Sequence, residues 1–203
     1  MIMEANQVEF IYYSSRNGIR PPRNVTHVTI DPSIKVIEAR AFYGCMQLKC
    51  VELVEGLEKI GEEAFQGCTS LENVSVPSTV KTIGYEAFKG CTNLIHVELV
   101  EGLEKIGMRA FQRCTSLENV NIPPTVNTIY CDAFYGCTKL IHIELVEGLE
   151  IIDMETFQGC TSLENVIIPS TVNTIGYDAF KGCTKLIHVK LVEGLEKIGM
   201  RAF

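Results

Sequence analysis

The sequence predicts an α/β solenoid: a right-handed coil with a parallel sheet on one face and short strands, turns or 3₁₀/helical turns on the other. Two observations predict it. Phe42, Phe65, Phe88, Phe111, Phe134, Phe157, Phe180 and Phe203 recur every 23 residues, and a cysteine column (Cys45 to Cys183) and a leucine column (Leu48 to Leu186) keep the same step. A run of anchors without one insertion marks an internal repeat, which decides architecture before local propensity does. The second is that no unit can bury its own apolar side alone. Stacking must do it.

Each segment of a unit has a physical reading. Leu71-Glu72-Asn73-Val74-Ser75-Val76 alternates, with Val74 and Val76 pointing one way and Asn73 and Ser75 the other. This is a short strand with one wet face. Pro77 ends it, having no N–H to offer a neighbour. Val80 and Ile83 are an expected second inward pair on the return path. Gly84 is expected to permit a tight bend. Glu86-Ala87-Phe88-Lys89 is too short for an isolated helix, so one helical or 3₁₀ turn is expected. Gly90 then reverses the chain, Cys91 tucks inward and Leu94 leads the next strand. Successive strands are expected to pair in parallel at about 4.8 Å. The 23-residue period lies within the range of leucine-rich repeats.

A period of 46 residues overlies the first. One unit carries V-E-G-L-E-K-I-G (54–61, 100–107), and its neighbour carries P-S-T-V-K-T-I-G or a close variant (77–84, 169–176). Residues 101–146 and 147–192 agree at 34 of 46 positions. Residues 1–24 break the pattern. Val8, Phe10 and Tyr12 alternate as in an edge strand, and Ile19-Arg20-Pro21-Pro22 resembles a turn, so 1–24 reads as an N-terminal cap and entry turn. Val25, Val28 and Ile30 already lie 23 residues before Leu48, Val51 and Leu53, which makes 25–203 the repeat domain, its last unit incomplete. An uncovered C-terminal edge is expected to continue into further units or to meet another subunit, possible end-to-end self-association included.

Composition excludes several classes. Of 203 residues, 46% are hydrophobic and 21% charged, which is a folding composition. The net charge of −7, with basic residues scattered, argues against nucleic acid as a partner. No stretch approaches 18 consecutive apolar residues, so no membrane insertion is expected. The start, Met1 to Asn6, lacks a basic region and a long apolar core, so no signal peptide is expected. That and the free-thiol pattern favour a cytoplasmic location. A fragment of a longer protein would leave the cell surface open.

The stretch A-F-Q-G-C-T-S-L-E-N-V-S-V-P-S-T-V-K-T-I-G at 64–84 resembles the BspA-like leucine-rich repeats, the type also described from treponemal proteins. The likeness covers 25–203 and rests on Phe, Cys, Leu, Pro and Ile-Gly in the family's places. It implies the solenoid and a protein-binding or adhesive role, without specifying a ligand. The departures are local. Arg113 stands for the Gly of A-F-x-G-C, Tyr130 and Asp153 for the Gly after Ile, and Thr156 for Ala. They are expected to strain tight turns or vary the surface without removing the fold.

Three sets of columns carry the candidate chemistry. Seven of the nine cysteines share one column without C-x-x-C spacing. Core thiols are the leading reading, ahead of disulfides between turns and of metal binding. Cys50 and Cys131 fall off the column: Cys131 replaces Tyr85 and Tyr177 of equivalent units and is expected to be partly exposed, and Cys50 is expected to face outward. On the strands, one outward column reads Cys50, Asn73, His96, Asn119, His142, Asn165, His188, and the next Glu52, Ser75, Glu98, Asn121, Glu144, Ile167, Lys190. His96 and His142 stand two strands apart, about 10 Å by ordinary strand spacing. One zinc ion needs ring nitrogens at about 2 Å. A protein-binding face is therefore expected over metal or catalysis, and no cofactor is expected. A third column, Glu72, Ile95, Glu118, Ile141, Glu164, Ile187, alternates acid and isoleucine. Its isoleucines are expected to pack beneath neighbouring strands, with exposed knobs as the alternative. The pairs Glu55 and Glu58, Glu101 and Glu104, Glu147 and Glu150, Glu193 and Glu196 read as a solvated acidic edge.

The functional expectation is a non-catalytic protein-protein interaction scaffold binding an unidentified protein. Its alternatives are a cell-surface adhesion module and a regulatory or structural segment of a larger protein. The phenylalanine column yields the first test. Phe111→Ala should lower the unfolding free energy by about 3–5 kcal/mol, read from urea denaturation. A loss under about 1 kcal/mol would place Phe111 outside a shared core.

Overall fold

The computed structural model describes residues 9–12, 21–191 and 193–203. Val8 and the Ile19-Arg20 part of the expected entry turn lie outside them, as does most of 1–24. Among the described residues the chain forms two parallel sheets. The face sheet runs Glu9–Tyr12, His27–Ile30, Cys50–Glu52, Asn73–Ser75, His96–Glu98, Asn119–Asn121, His142–Glu144, Asn165–Ile167 and His188–Lys190. The return sheet runs Val36–Ile37, Lys59–Ile60, Thr82–Ile83, Lys105–Ile106, Thr128–Ile129, Ile151–Ile152, Thr174–Ile175 and Lys197–Ile198. Every pairing joins a strand to its counterpart in the next coil, in parallel and in register, such as Asn73↔His96 and Ile83↔Ile106. Glu9–Tyr12 is the edge strand, pairing with His27–Ile30.

The core lies between the sheets. Val74, Val76, Val80 and Ile83 are all buried, as the alternation predicts. The phenylalanines stack from Phe42 to Phe203 with ring centroids 5.0 to 5.6 Å apart. In the column from Cys68 to Cys183 each thiol donates to a phenylalanine carbonyl of the preceding coil. The Cys91 Sγ to Phe65 O bond measures 3.2 Å. Thr156, buried where its counterparts are Ala, satisfies its hydroxyl on the Asp153 carbonyl at 2.7 Å.

Two expectations are corrected. The expected helical or 3₁₀ turn is a chain of isolated turns, and no helix is found among the described residues, so the solenoid is built of strands and turns. The reason lies in the N–H groups. Ala87, Lys89 and Cys91 donate to carbonyls three residues back, at Gly84, Glu86 and Phe88. Between them, Glu86, Phe88 and Gly90 donate to Met108, Ala110 and Gln112 of the next coil. A helix needs consecutive donors directed along its own axis. Here alternate donors are drawn sideways into the stack. Glu86 also sits at φ +51°, outside the helical region.

The second correction concerns the glycine after Ile. Gly84 has no left-handed backbone; its role is close approach. A Cβ on it would lie 2.8 Å from the Gly61 carbonyl carbon, and one on Gly107 would lie 2.8 Å from that of Gly84. Where the column departs from glycine, the coils stand further apart. The Gly84 and Gly107 amides reach the preceding coil at 2.9 Å, but the Tyr130 and Asp153 amides at 3.4 and 3.2 Å. Arg113, in place of the chain-reversing glycine, keeps that glycine's left-handed conformation at φ +61°. The cost for a residue with a Cβ is about 1–2 kcal/mol.

The 46-residue period also has a physical cause: neighbouring coils are complementary. Thr79 accepts from the Gly56 amide at 2.9 Å and donates to the Leu57 carbonyl at 2.7 Å. Thr125 and Thr171 repeat the clasp on the next two E-G-L coils. Ser78 and Ser170 bind Glu55 and Glu147, so this acidic edge helps to clasp coils together. On the other side, a Cβ on Gly102 would collide with the Ser78 carbonyl oxygen.

Two outcomes test this packing. Gly84→Ala should destabilise the chain by about 1–3 kcal/mol, as crowding in a packed interior does; a neutral effect in urea denaturation would refute the close-approach role. The second is alkaline. Burial holds the Cys91, Cys137 and Cys183 thiols up at about 12. In the unfolded chain they ionise at about 8.5, so unfolding releases protons above that pH. Stability should be unaffected by these thiols below about pH 8 and fall as pH rises from there toward about 12. Cys91→Ala should make the fall shallower, measured as the urea midpoint against pH. An unchanged slope would mean that the thiol is not held protonated.

Candidate functional site

Parallel register carries each outward strand position into the next coil, so the repeat turns sequence columns into surface stripes. Asn73, His96, Asn119, His142, Asn165 and His188 form one stripe, each aligned with the next. Ser75, Glu98, Asn121, Glu144, Ile167 and Lys190 form the adjacent stripe, and all twelve side chains are exposed. An asparagine separates every two histidines, and buried Val97 and Ile143 keep His96 and His142 one residue from Glu98 and Glu144, while His188 has Lys190 in that place. Two hollows touch this face, of about 330 and 400 Å³. Neither is lined by His96, His142 or His188. The arrangement offers separate hydrogen-bonding and charged groups along a ridge, without convergence on one point.

The isoleucine column corrects an expectation. Ile95, Ile141 and Ile187 do not pack beneath neighbouring strands; they are 46%, 47% and 74% exposed. Leu94 already occupies the inward position. The amides of Ile95 and His96 then both donate to the Glu72 carbonyl, at 2.8 and 3.4 Å. Two consecutive residues of one coil thus meet a single residue of the last, and both side chains face out.

The off-column cysteines are half-buried. Burial, with Glu52 nearby, pushes the Cys50 thiol up. Burial and the neighbouring Asp153, which accepts its hydrogen bond at 3.1 Å, push Cys131 up to about 11. Neither environment favours a thiolate nucleophile.

Two further stripes lie on the turn side, of which the sequence had set only Cys131 beside Tyr85 and Tyr177. The position after the Ile-Gly pair reads Tyr85, Met108, Cys131, Met154, Tyr177, Met200. Met108, Met154, Tyr177 and Met200 are exposed. Comparing this column across coils would have revealed it. Next to it runs a left-handed column of charged residues linked between coils. Arg109 reaches Asp132 at 3.1 Å and Glu86 at 3.5 Å, and Arg201 holds the buried Asp178 through two bonds, at 2.8 and 3.0 Å. Burial first, then Asp132 and Asp178 on either side, push the Glu155 carboxyl up. No group of three or more His, Cys, Asp or Glu side chains suited to a metal is found among the described residues.

Comparison with known proteins places this geometry in a family. The model of the BspA type leucine rich repeat region matches residues 22–141 and 104–203, with six copies. No curated protein matches the chain. Among solved structures, the leucine-rich repeat protein of T. pallidum is 29% identical, with a TM-score of 0.73, over 79% of this chain and 78% of that one. A leucine-rich repeat protein from Bacteroides ovatus is 23% identical over 89% of this chain and 64% of that one, with a TM-score of 0.46. The pneumococcal vaccine antigen PcpA is 20% identical over 95% and 72%, with a TM-score of 0.42. The family match spans nearly the whole repeat array and agrees with the phenylalanine, cysteine and leucine columns that build its core: the chain belongs to the BspA-type leucine-rich repeat family.

Proposed function

We propose that this chain is a non-catalytic protein-protein interaction scaffold that presents the outward face of its nine-stranded sheet. One observation carries the reading. Asn73, Ser75, His96, Glu98, Asn119, Asn121, His142, Glu144, Asn165, His188 and Lys190 are all exposed on contiguous, in-register strands. Their backbone is fixed by the sheet, so a partner meets side chains already in place and less ordering opposes binding. The face mixes amides, imidazoles, carboxylates and isoleucines. Such a patch suits a protein surface better than a sugar, since these strands carry no aromatic platform. Leucine-rich repeat proteins typically act as interaction or adhesion modules, which agrees with a surface of this kind.

The test is capture from extract on the immobilised chain, followed by titration of a captured protein. His96→Ala with His142→Ala should weaken that protein's binding roughly ten-fold, within the range of central interface residues. Lys59→Ala with Lys105→Ala, on the return sheet, should leave it unchanged. Equal affinity for the wild type and the histidine variant would refute the strand face as the binding surface.

A further inference from the structure

The strand face carries a second order beneath its alternation of histidine and asparagine. One carboxylate falls on each coil and changes column at every step: Glu72, Glu98, Glu118, Glu144, Glu164. Four are exposed and Glu118 is half-buried. Among the described residues none of the five has a salt-bridge partner. The two lysines of these stripes, Lys49 and Lys190, stand at opposite ends. Between those ends the two stripes carry carboxylates and no cation of their own: Glu72, Glu118 and Glu164 in one, Glu98 and Glu144 in the other, three strand positions apart, with one carboxylate about every 9.6 Å along each by ordinary strand spacing. Half-exposed Ile95 and Ile141 stand between Glu72, Glu118 and Glu164 in one stripe, repeating every two coils.

We propose that this face binds an extended, lysine- or arginine-rich polypeptide segment lying across the strands, with an aliphatic side chain at every third residue. The inference rests on the strand face being the binding surface and names its partner's chemistry. Charge complementarity selects a basic segment, because a line of like charges without internal cations attracts its opposite and repels acidic competitors. Spacing selects an extended one. Two coils advance about 9.6 Å by ordinary strand spacing. Three residues of an extended polyproline-type chain advance about 9.3 Å, so its third residues stay in step with Ile95, Ile141 and Ile187. Seven residues of a helix advance about 10.5 Å and drift out of step. The sheet interior offers no free strand edge here, so recognition falls to side chains.

Fluorescence anisotropy with two labelled probes tests this. One is five repeats of Leu-Lys-Pro and the other five repeats of Leu-Glu-Pro. The wild-type chain should bind the basic probe and not the acidic one, with affinity falling as salt rises from about 50 to about 300 mM. E98Q/E144Q and I95N/I141N, changed at solvent-facing positions, should each weaken binding roughly five-fold while melting with the wild type by circular dichroism. M108S/M154S, on the turn side, should bind as the wild type does. Absence of binding, equal binding of the acidic probe, or retention by both face variants would overturn the proposal. If extract partners depend on His96 and His142 but the basic probe does not bind, the partner chemistry is wrong and the scaffold reading stands. If captured partners ignore the histidines, the scaffold reading itself fails.

Discussion

Close backbone approach between coils is the constraint from which the rest of this structure follows. Along Glu86 to Cys91, every second N–H leaves its own turn and bonds the next coil. The same closeness leaves no room for a side chain after Ile83 or Ile106, stacks the phenylalanine rings, and sets the core thiols from Cys68 to Cys183 against carbonyls of the preceding coil. A single coil would leave these donors, acceptors and apolar faces unpaired. The array is therefore stable as a stack, and its stability is a sum of neighbour interfaces more than of unit propensities.

Neighbour complementarity also explains why the repeat has two sizes. The 23-residue period reflects the shared interior, where every coil contributes the same Phe, Cys and Leu. The 46-residue period reflects the rim, where E-G-L coils and P-S-T coils clasp through Thr79, Thr125 and Thr171. On the strand face that doubling becomes alternation: His with Glu and Ile on one coil, Asn with Glu on the next. The surface is thus patterned at twice the coil spacing, which is the scale a partner would read.

The core was legible in the sequence because burial imposes the same residue in every coil. The phenylalanine column, the inward Val74, Val76, Val80 and Ile83, and the outward strand residues all lie where alternation put them. What was not legible depended on the third dimension. Gly84 looks like a bend residue in one dimension, and only the neighbouring Gly61 backbone reveals it as a contact residue. The stretch around Phe88 has the length of a helical turn, but its donors belong to the next coil. Ile95 has the hydrophobicity of a core residue, yet Leu94 takes the inward place first. Met108, Met154 and Met200 escaped notice because they differ from the Tyr85, Cys131 and Tyr177 of the neighbouring coils, so no single residue type marks the stripe.

Amide hydrogen exchange at Phe111 and Gln112 tests the central claim most directly. The Phe111 amide bonds the Ala133 carbonyl across coils, while that of Gln112 bonds Arg109 within its turn. If coil-to-coil bonding holds the molecule together, the Phe111 amide should be as protected as the strand amides and exchange with them on global opening. Protection at Gln112 with rapid exchange at Phe111 would mean that each turn stands by itself, and would contradict the account.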